Sequence, residues 1–168
     1  MVISSSKPTL VIVPGGWHPP SAYRRFATHL EDAGYPTLTA PYPSCNSTTP
    51  KTATCGEDAR SLRQQLLPLI DSEGKDVVLL SHSYGGIPAA GAAYGLSKNA
   101  RSKASKKGGI LGLVYMSAFA VPEGASLVEF LGGKHAPYLV PDKASWSSPR
   151  HSSNRILIPS PSPRKAYA

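Results

Sequence analysis

Apolar positions along the first part of the chain fall into two alternating kinds of run. In PTLVIVPGG, the residues Leu10 to Val13 form a short apolar run closed by turn residues, which predicts a buried strand. In PPSAYRRFATHLEDAGY, the residues Tyr23, Phe26, Ala27 and Leu30 recur at helical spacing, with Ser21 as a candidate cap and Gly34 as a stop. PTLTAPYP reads as a second strand. TATCGEDARSLRQQLLPLI predicts a helix: Thr54 and Glu57 fit a capping box, and Ala59, Leu62, Leu66 and Leu69 form the apolar stripe. Pro68 should kink or end it.

KDVVLLS is a strand with unbroken apolar residues from Val77 to Leu80, IPAAGAAYGLSKNA a helix rich in small residues, and GGILGLVYMSAFA a further strand. VPEGASLVEFLGG begins a short helical piece. Strand and helix therefore alternate, and the strands lack polar alternation. Both features predict an α/β fold: a three-layer, mostly parallel sheet with helices on its two faces. The pattern stops near Tyr138. Val140 to Ala168 hold seven Ser and five Pro, and only Ile156 to Ile158 form an apolar run. This predicts a core over 1–139 that includes the start of a cap, and a low-complexity, disordered tail over 140–168.

Charge refines this picture. The 168 residues carry a formal net charge of +8. Five bases lie between Lys98 and Lys107, and five more, with the single acid Asp142, lie beyond Val140. The rest has eight bases and nine acids, so the body of the domain is nearly neutral and no basic nucleic-acid face is implied. The Lys98–Lys107 run reads as a solvated connection. Cys45 and Cys55, the only cysteines, lack metal-ligand spacing and read as ordinary thiols. The N-terminus shows no signal-peptide pattern and no segment has the length of a membrane span, so a cytoplasmic location is the expectation.

The candidate chemistry lies in Ser81-His82-Ser83-Tyr84-Gly85. It has the form small-x-nucleophile-x-small, after a strand and before a helix, which is the context of a nucleophile elbow. Small flanks are needed because the nucleophile sits in a sharp, strained turn. The following helix points its positive end at the site. The competing reading is a Ser/Gly turn in a binding loop, although no phosphate-loop or dinucleotide fingerprint is present. Pro14-Gly15-Gly16-Trp17 ends the first strand. In an acyl-transfer site the oxyanion hole would then be formed by the N–H groups of Gly16 and Tyr84.

VIVPGGWHPPSAY, LEDAGYPTLTAPYPS, DVVLLSHSYGG and LVYMSAFAVPEG together resemble the α/β-hydrolase superfamily. The resemblance is to its single-domain branch of plant methylesterases, hydroxynitrile lyases and fungal hydrolases, and it spans Lys7 to Leu139. It implies a serine hydrolase of small carboxylic esters or related acyl substrates, with Ser83 as nucleophile. It implies no cofactor or metal, a small-molecule partner, and neither nucleic acid nor membrane. The family's acid and histidine, in that chain order, have no visible counterpart in a strand–loop setting. The fold therefore reads as incomplete, lacking its last strands, and the chain as a C-terminally truncated or wrongly joined version of a longer enzyme. Asp142 and His151 stand in the right order as triad partners, but in a Pro/Ser-rich setting that gives them no fixed geometry. Glu123 reads as part of a cap-entry turn. His82 should be packed or hydrogen-bonded away from Ser83, His18 should line the mouth, His29 should lie on a helix surface and His135 in the partial cap. The rival readings are an inactive remnant and a lyase on the same scaffold.

Overall fold

The computed structural model describes residues 7–46 and 53–134. β1 (Thr9–Val13), β2 (Thr37–Thr39), β3 (Asp76–His82) and β4 (Gly109–Met116) form one parallel sheet in the order β2-β1-β3-β4. In the central pair Leu10 stands opposite Val78 and Val13 opposite Ser81. The helices are α1 (Arg24–Asp32), α2 (Pro43–Asn46), α3 (Cys55–Leu67), α4 (Gly86–Ala93), α5 (Lys98–Lys103) and α6 (Leu127–Phe130).

Because side chains alternate along a strand, β1 and β3 each supply two cores. Val11, Val13, Val77 and Leu79 face α3 and α4, where Leu62, Leu66, Ala89 and Ala92 meet them. Leu10, Ile12 and Leu80 face the opposite way, against Tyr23 and the α1 residues Phe26, Ala27 and Leu30. This is the expected three-layer α/β architecture. The Thr54–Glu57 capping box is formed at the start of α3, and Gly34 takes a positive φ of 82° just past α1.

Four local expectations change. Ser21 does not cap α1: it lies inside a 3-10 turn, Pro20–Tyr23, that leads into the helix. Pro68 does not simply end α3 but opens a π-turn, Pro68–Ser72, in which the Glu73 N–H donates to the Pro68 carbonyl. The wider turn shifts the helical register, so Ile70 is fully buried while Leu69 only packs at the margin. The small-residue helix breaks after Ala93, with Gly95 at a φ of 71°, and the chain resumes as α5. The basic run is also not wholly solvated. Arg101 is buried, its guanidinium donating to Asp71 Oδ1 (2.7 Å) and to the carbonyls of Gly108 and Lys107 (both 3.0 Å).

β4 is apolar yet partly exposed, as expected of a sheet that lacks its last strands. It is an edge strand among the described residues, and Leu111, Val114 and Tyr115 are 52%, 45% and 39% exposed. A charge-free apolar edge is a template for pairing with another chain. The double substitution Leu111→Lys, Val114→Lys is expected to lower concentration-dependent light scattering while keeping the far-UV circular dichroism of the parent chain.

Candidate active site

A parallel sheet delivers its strand ends to one edge, where α/β proteins bind ligands. Three adjacent strands here end in strained backbone. Trp17 follows β1 with φ 61°, Ser83 follows β3 with φ 51°, and Ser117 follows β4 with φ 46°. Positive φ in non-glycine residues is costly and concentrates at functional sites. Ser83 opens a single 3-10 turn, Ser83–Gly85, that leads into α4, and its carbonyl accepts from the Phe119 N–H at 3.0 Å.

The turn can sit here because Gly85 has no side chain. A Cβ at Gly85 would overlap the carbonyl oxygens of Val13 and Pro14, and one at Gly86 would overlap the Phe119 carbonyl oxygen. The same tight packing brings the loop after β1 against the turn. A Cβ built on Gly15 would stand 3.1 Å from Ser83 Cβ, and one on Gly16 would stand 3.7 Å from Tyr84 Cβ. Ser83, Gly16 and Tyr84, singled out in the sequence on separate segments, are thus neighbours. Ser81, two residues before Ser83, is fully buried and its hydroxyl has no partner among the described residues.

The residues flanking Ser83 anchor to opposite layers. On the α1 side, the Gly15 N–H donates to the Tyr23 hydroxyl oxygen (2.8 Å), and that hydroxyl lies 2.7 Å from His82 Nδ1. The Tyr23 oxygen has lone pairs enough to accept from Gly15 and either donate to Nδ1 or accept from it, according to the tautomer of His82. His82 is therefore hydrogen-bonded as expected, but it also lines an apolar recess of about 300 Å³ with His18, Ala22, Tyr23, Phe26 and Met116. His18 is exposed, bonds the Gly16 carbonyl through Nδ1 (2.8 Å) and stands edge-on to His82. His29 is exposed on α1.

On the α3 side, Tyr84 donates its hydroxyl to Asp58 Oδ2 (2.8 Å). Asp58 is fully buried and also accepts from the Ser44 N–H (2.9 Å) and the Ser44 hydroxyl (2.6 Å). It lies in the first turn of α3. Beside it, Tyr42 donates to the Pro14 carbonyl (2.5 Å) and the Cys45 thiol to the Gly15 carbonyl (3.3 Å). Burial pushes the Tyr42 and Tyr84 phenols far above their ordinary range and raises both thiols, so Cys45 and Cys55 stay protonated near neutrality.

Sequence reasoning missed this polar network. Its signal was present: Asp58 occupies the apolar face of α3, in register with Cys55, Ala59, Leu62 and Leu66, where a carboxylate needs dedicated donors. Glu123 is exposed. Asp142, His151 and His135 lie outside the described residues. Among the described residues no three His, Cys, Asp or Glu side chains gather as metal ligands would, and no helix is long and apolar enough to cross a membrane.

A parallel sheet with helices on both faces, and a serine held at positive φ where its central strand turns into a helix, define an α/β protein of the hydrolase type. A model of the alpha/beta hydrolase family matches residues 10–168, and the chain belongs to this family. It is 37% identical over 121 residues to the alpha/beta hydrolase nvfD of Aspergillus novofumigatus, a match covering 72% of this chain and 47% of that protein. It is 31% identical over 145 residues to a carbendazim hydrolyzing esterase of Nocardioides, covering 77% and 54%. The crystal structure of a polyneuridine aldehyde esterase mutant superposes with a TM-score of 0.55 at 23% identity, covering 75% of this chain and 46% of the other. The chain thus spans about half the length of the curated relatives it matches.

The strain at Ser83 is measurable. Ser83→Gly is expected to exceed Ser83→Ala in urea stability by about 1 kcal/mol, since glycine alone takes a positive φ freely. Equal midpoints would show that the turn carries no such strain. Ser81→Ala, which deletes a buried hydroxyl without a partner among the described residues, is expected to leave the urea midpoint unchanged or raise it.

Proposed function

We propose that this chain carries the nucleophile half of a serine hydrolase site for small carboxylic esters or related acyl compounds. In this reading Ser83 Oγ attacks the substrate's carbonyl carbon. The carbonyl oxygen becomes an oxyanion and takes hydrogen bonds from the Gly16 and Tyr84 N–H groups. Collapse of the tetrahedral intermediate expels the alcohol and leaves an acyl group on Ser83, which water then removes. The observation that carries the reading is the positive φ of Ser83 at the end of β3, with Gly16 packed beside Tyr84. The esterase names of two similar proteins agree with it.

Asp142 and His151, the pair in acid-then-base order, are the candidates for acid and base that this chain offers, and both lie outside the described residues. The His82 ring lies on the α1 side, where it bonds Tyr23 and lines the recess with Phe26 and Met116. An activated serine reacts with fluorophosphonates. Incubation of the 168-residue chain with a fluorophosphonate probe is expected to label Ser83, read by mass spectrometry, and Ser83→Ala to abolish the label. Folded chain that takes up no label would exclude an activated Ser83. Label that persists in His151→Ala would place the base elsewhere.

A further inference from the structure

We propose that Asp58 is a positioning residue for the oxyanion hole, holding the two loops that carry its N–H donors at a fixed separation. The inference rests on the reading of Gly16 and Tyr84 as those donors. They belong to different segments, the loop after β1 and the turn after β3. Two donors can serve one oxygen only if their separation is held to a fraction of an ångström.

On the α3 side Asp58 bonds the turn after β3 directly and bonds α2, whose neighbouring residues hold the loop after β1. On one side it takes the Tyr84 hydroxyl directly. On the other it takes both the N–H and the hydroxyl of Ser44. Ser44 lies in α2 next to Cys45, whose thiol holds the Gly15 carbonyl, and close to Tyr42, whose hydroxyl holds the Pro14 carbonyl. Asp58 is thus linked to the Gly16 loop through α2 and to Tyr84 through a single bond.

The chemistry of the group fits this task. A carboxylate only accepts, and its two oxygens have room for all three donors. An amide in its place would turn an N–H₂ toward a hydroxyl that must then reverse. Asp58 also has no ion-pair partner among the described residues. A buried carboxylate without a cation is a poor choice for stability alone, since an apolar side chain at this position of α3 would pack without desolvating a charge. The two loops it joins account for a carboxylate at this position.

The test compares Tyr84→Phe and Asp58→Asn with the parent 168-residue chain in the hydrolysis of p-nitrophenyl acetate. Each variant is expected to lower kcat by about tenfold to a hundredfold with KM within about twofold, as misplacement of a transition-state donor does. The double variant is expected to be no slower than the worse single one, because both break the same linkage. Unchanged kcat in Tyr84→Phe, or a double loss equal to the product of the single losses, overturns the proposal. A parent without esterase activity would count against the hydrolase reading alone. The positioning is then read by hydrogen exchange at the Gly15 and Phe119 amides, which report the two loops. Exchange about tenfold faster at these two amides in Tyr84→Phe, and accelerated there more than at the amides of α1, supports it. Unchanged exchange overturns it. Tyr84→Phe keeps the ring and its packing, so the result does not depend on whether Asp58→Asn folds.

Discussion

Gly85 lies against the carbonyl oxygens of Val13 and Pro14 with no space for a side chain between them. This contact sets how closely the end of β1 can approach the turn after β3, and the rest of the site follows from that distance. It seats Gly15 and Gly16 beside Ser83 and Tyr84. It also lets α4 begin hard against the sheet, where Gly86 meets the segment after β4. Small residues in α4 extend the same logic: Ala89 and Ala92 are buried between the sheet and α3. The helix packs close because it has little side chain to keep it away.

Strain is the counterpart of that closeness. Trp17, Ser83 and Ser117 each hold a positive φ at the end of a neighbouring strand. Residues of this kind cost about 1–3 kcal/mol apiece and persist only where the surroundings fix them. What fixes them here is the well-packed pair of cores under β1 and β3, together with bonds that pin backbone groups of the turns themselves. Tyr23 holds the Gly15 N–H, Tyr42 the Pro14 carbonyl, Cys45 the Gly15 carbonyl and Phe119 the Ser83 carbonyl. Each contributes only about 1 kcal/mol net, but four such bonds over so short a stretch are of the same order as the strain.

Much of this was legible in the sequence where the governing interaction is local. The Thr54–Glu57 box, the stop at Gly34 and the strands around Val11 and Leu79 depend on near neighbours and on periodicity. The small flanks of Ser83 likewise announced a tight turn. What escaped depends on tertiary partners. Ile70 replaces Leu69 in the core because the Pro68 turn is wider than an α-turn. Arg101 is buried because Asp71 and two carbonyls converge on it, although its neighbours in the basic run are solvated. Asp58 passed unnoticed because its donors, Ser44 and Tyr84, are remote in sequence. β4 reads as an apolar strand from its composition, and its place at an edge of the described sheet follows from the strands around it rather than from its own residues.

The alternation of β3 breaks at its final turn: His82 stays in the α1 layer with Val78 and Leu80, while Tyr84, two residues on, crosses to the α3 layer, with the positive φ of Ser83 between them. The turn is therefore riveted through the sheet. It cannot twist or lift without breaking a bond in each layer, which places this turn among the slower-opening parts of the fold. Trp17, on the neighbouring loop after β1, stands 77% exposed, so the backbone strain at the sheet edge is shared between an anchored segment and one open to solvent.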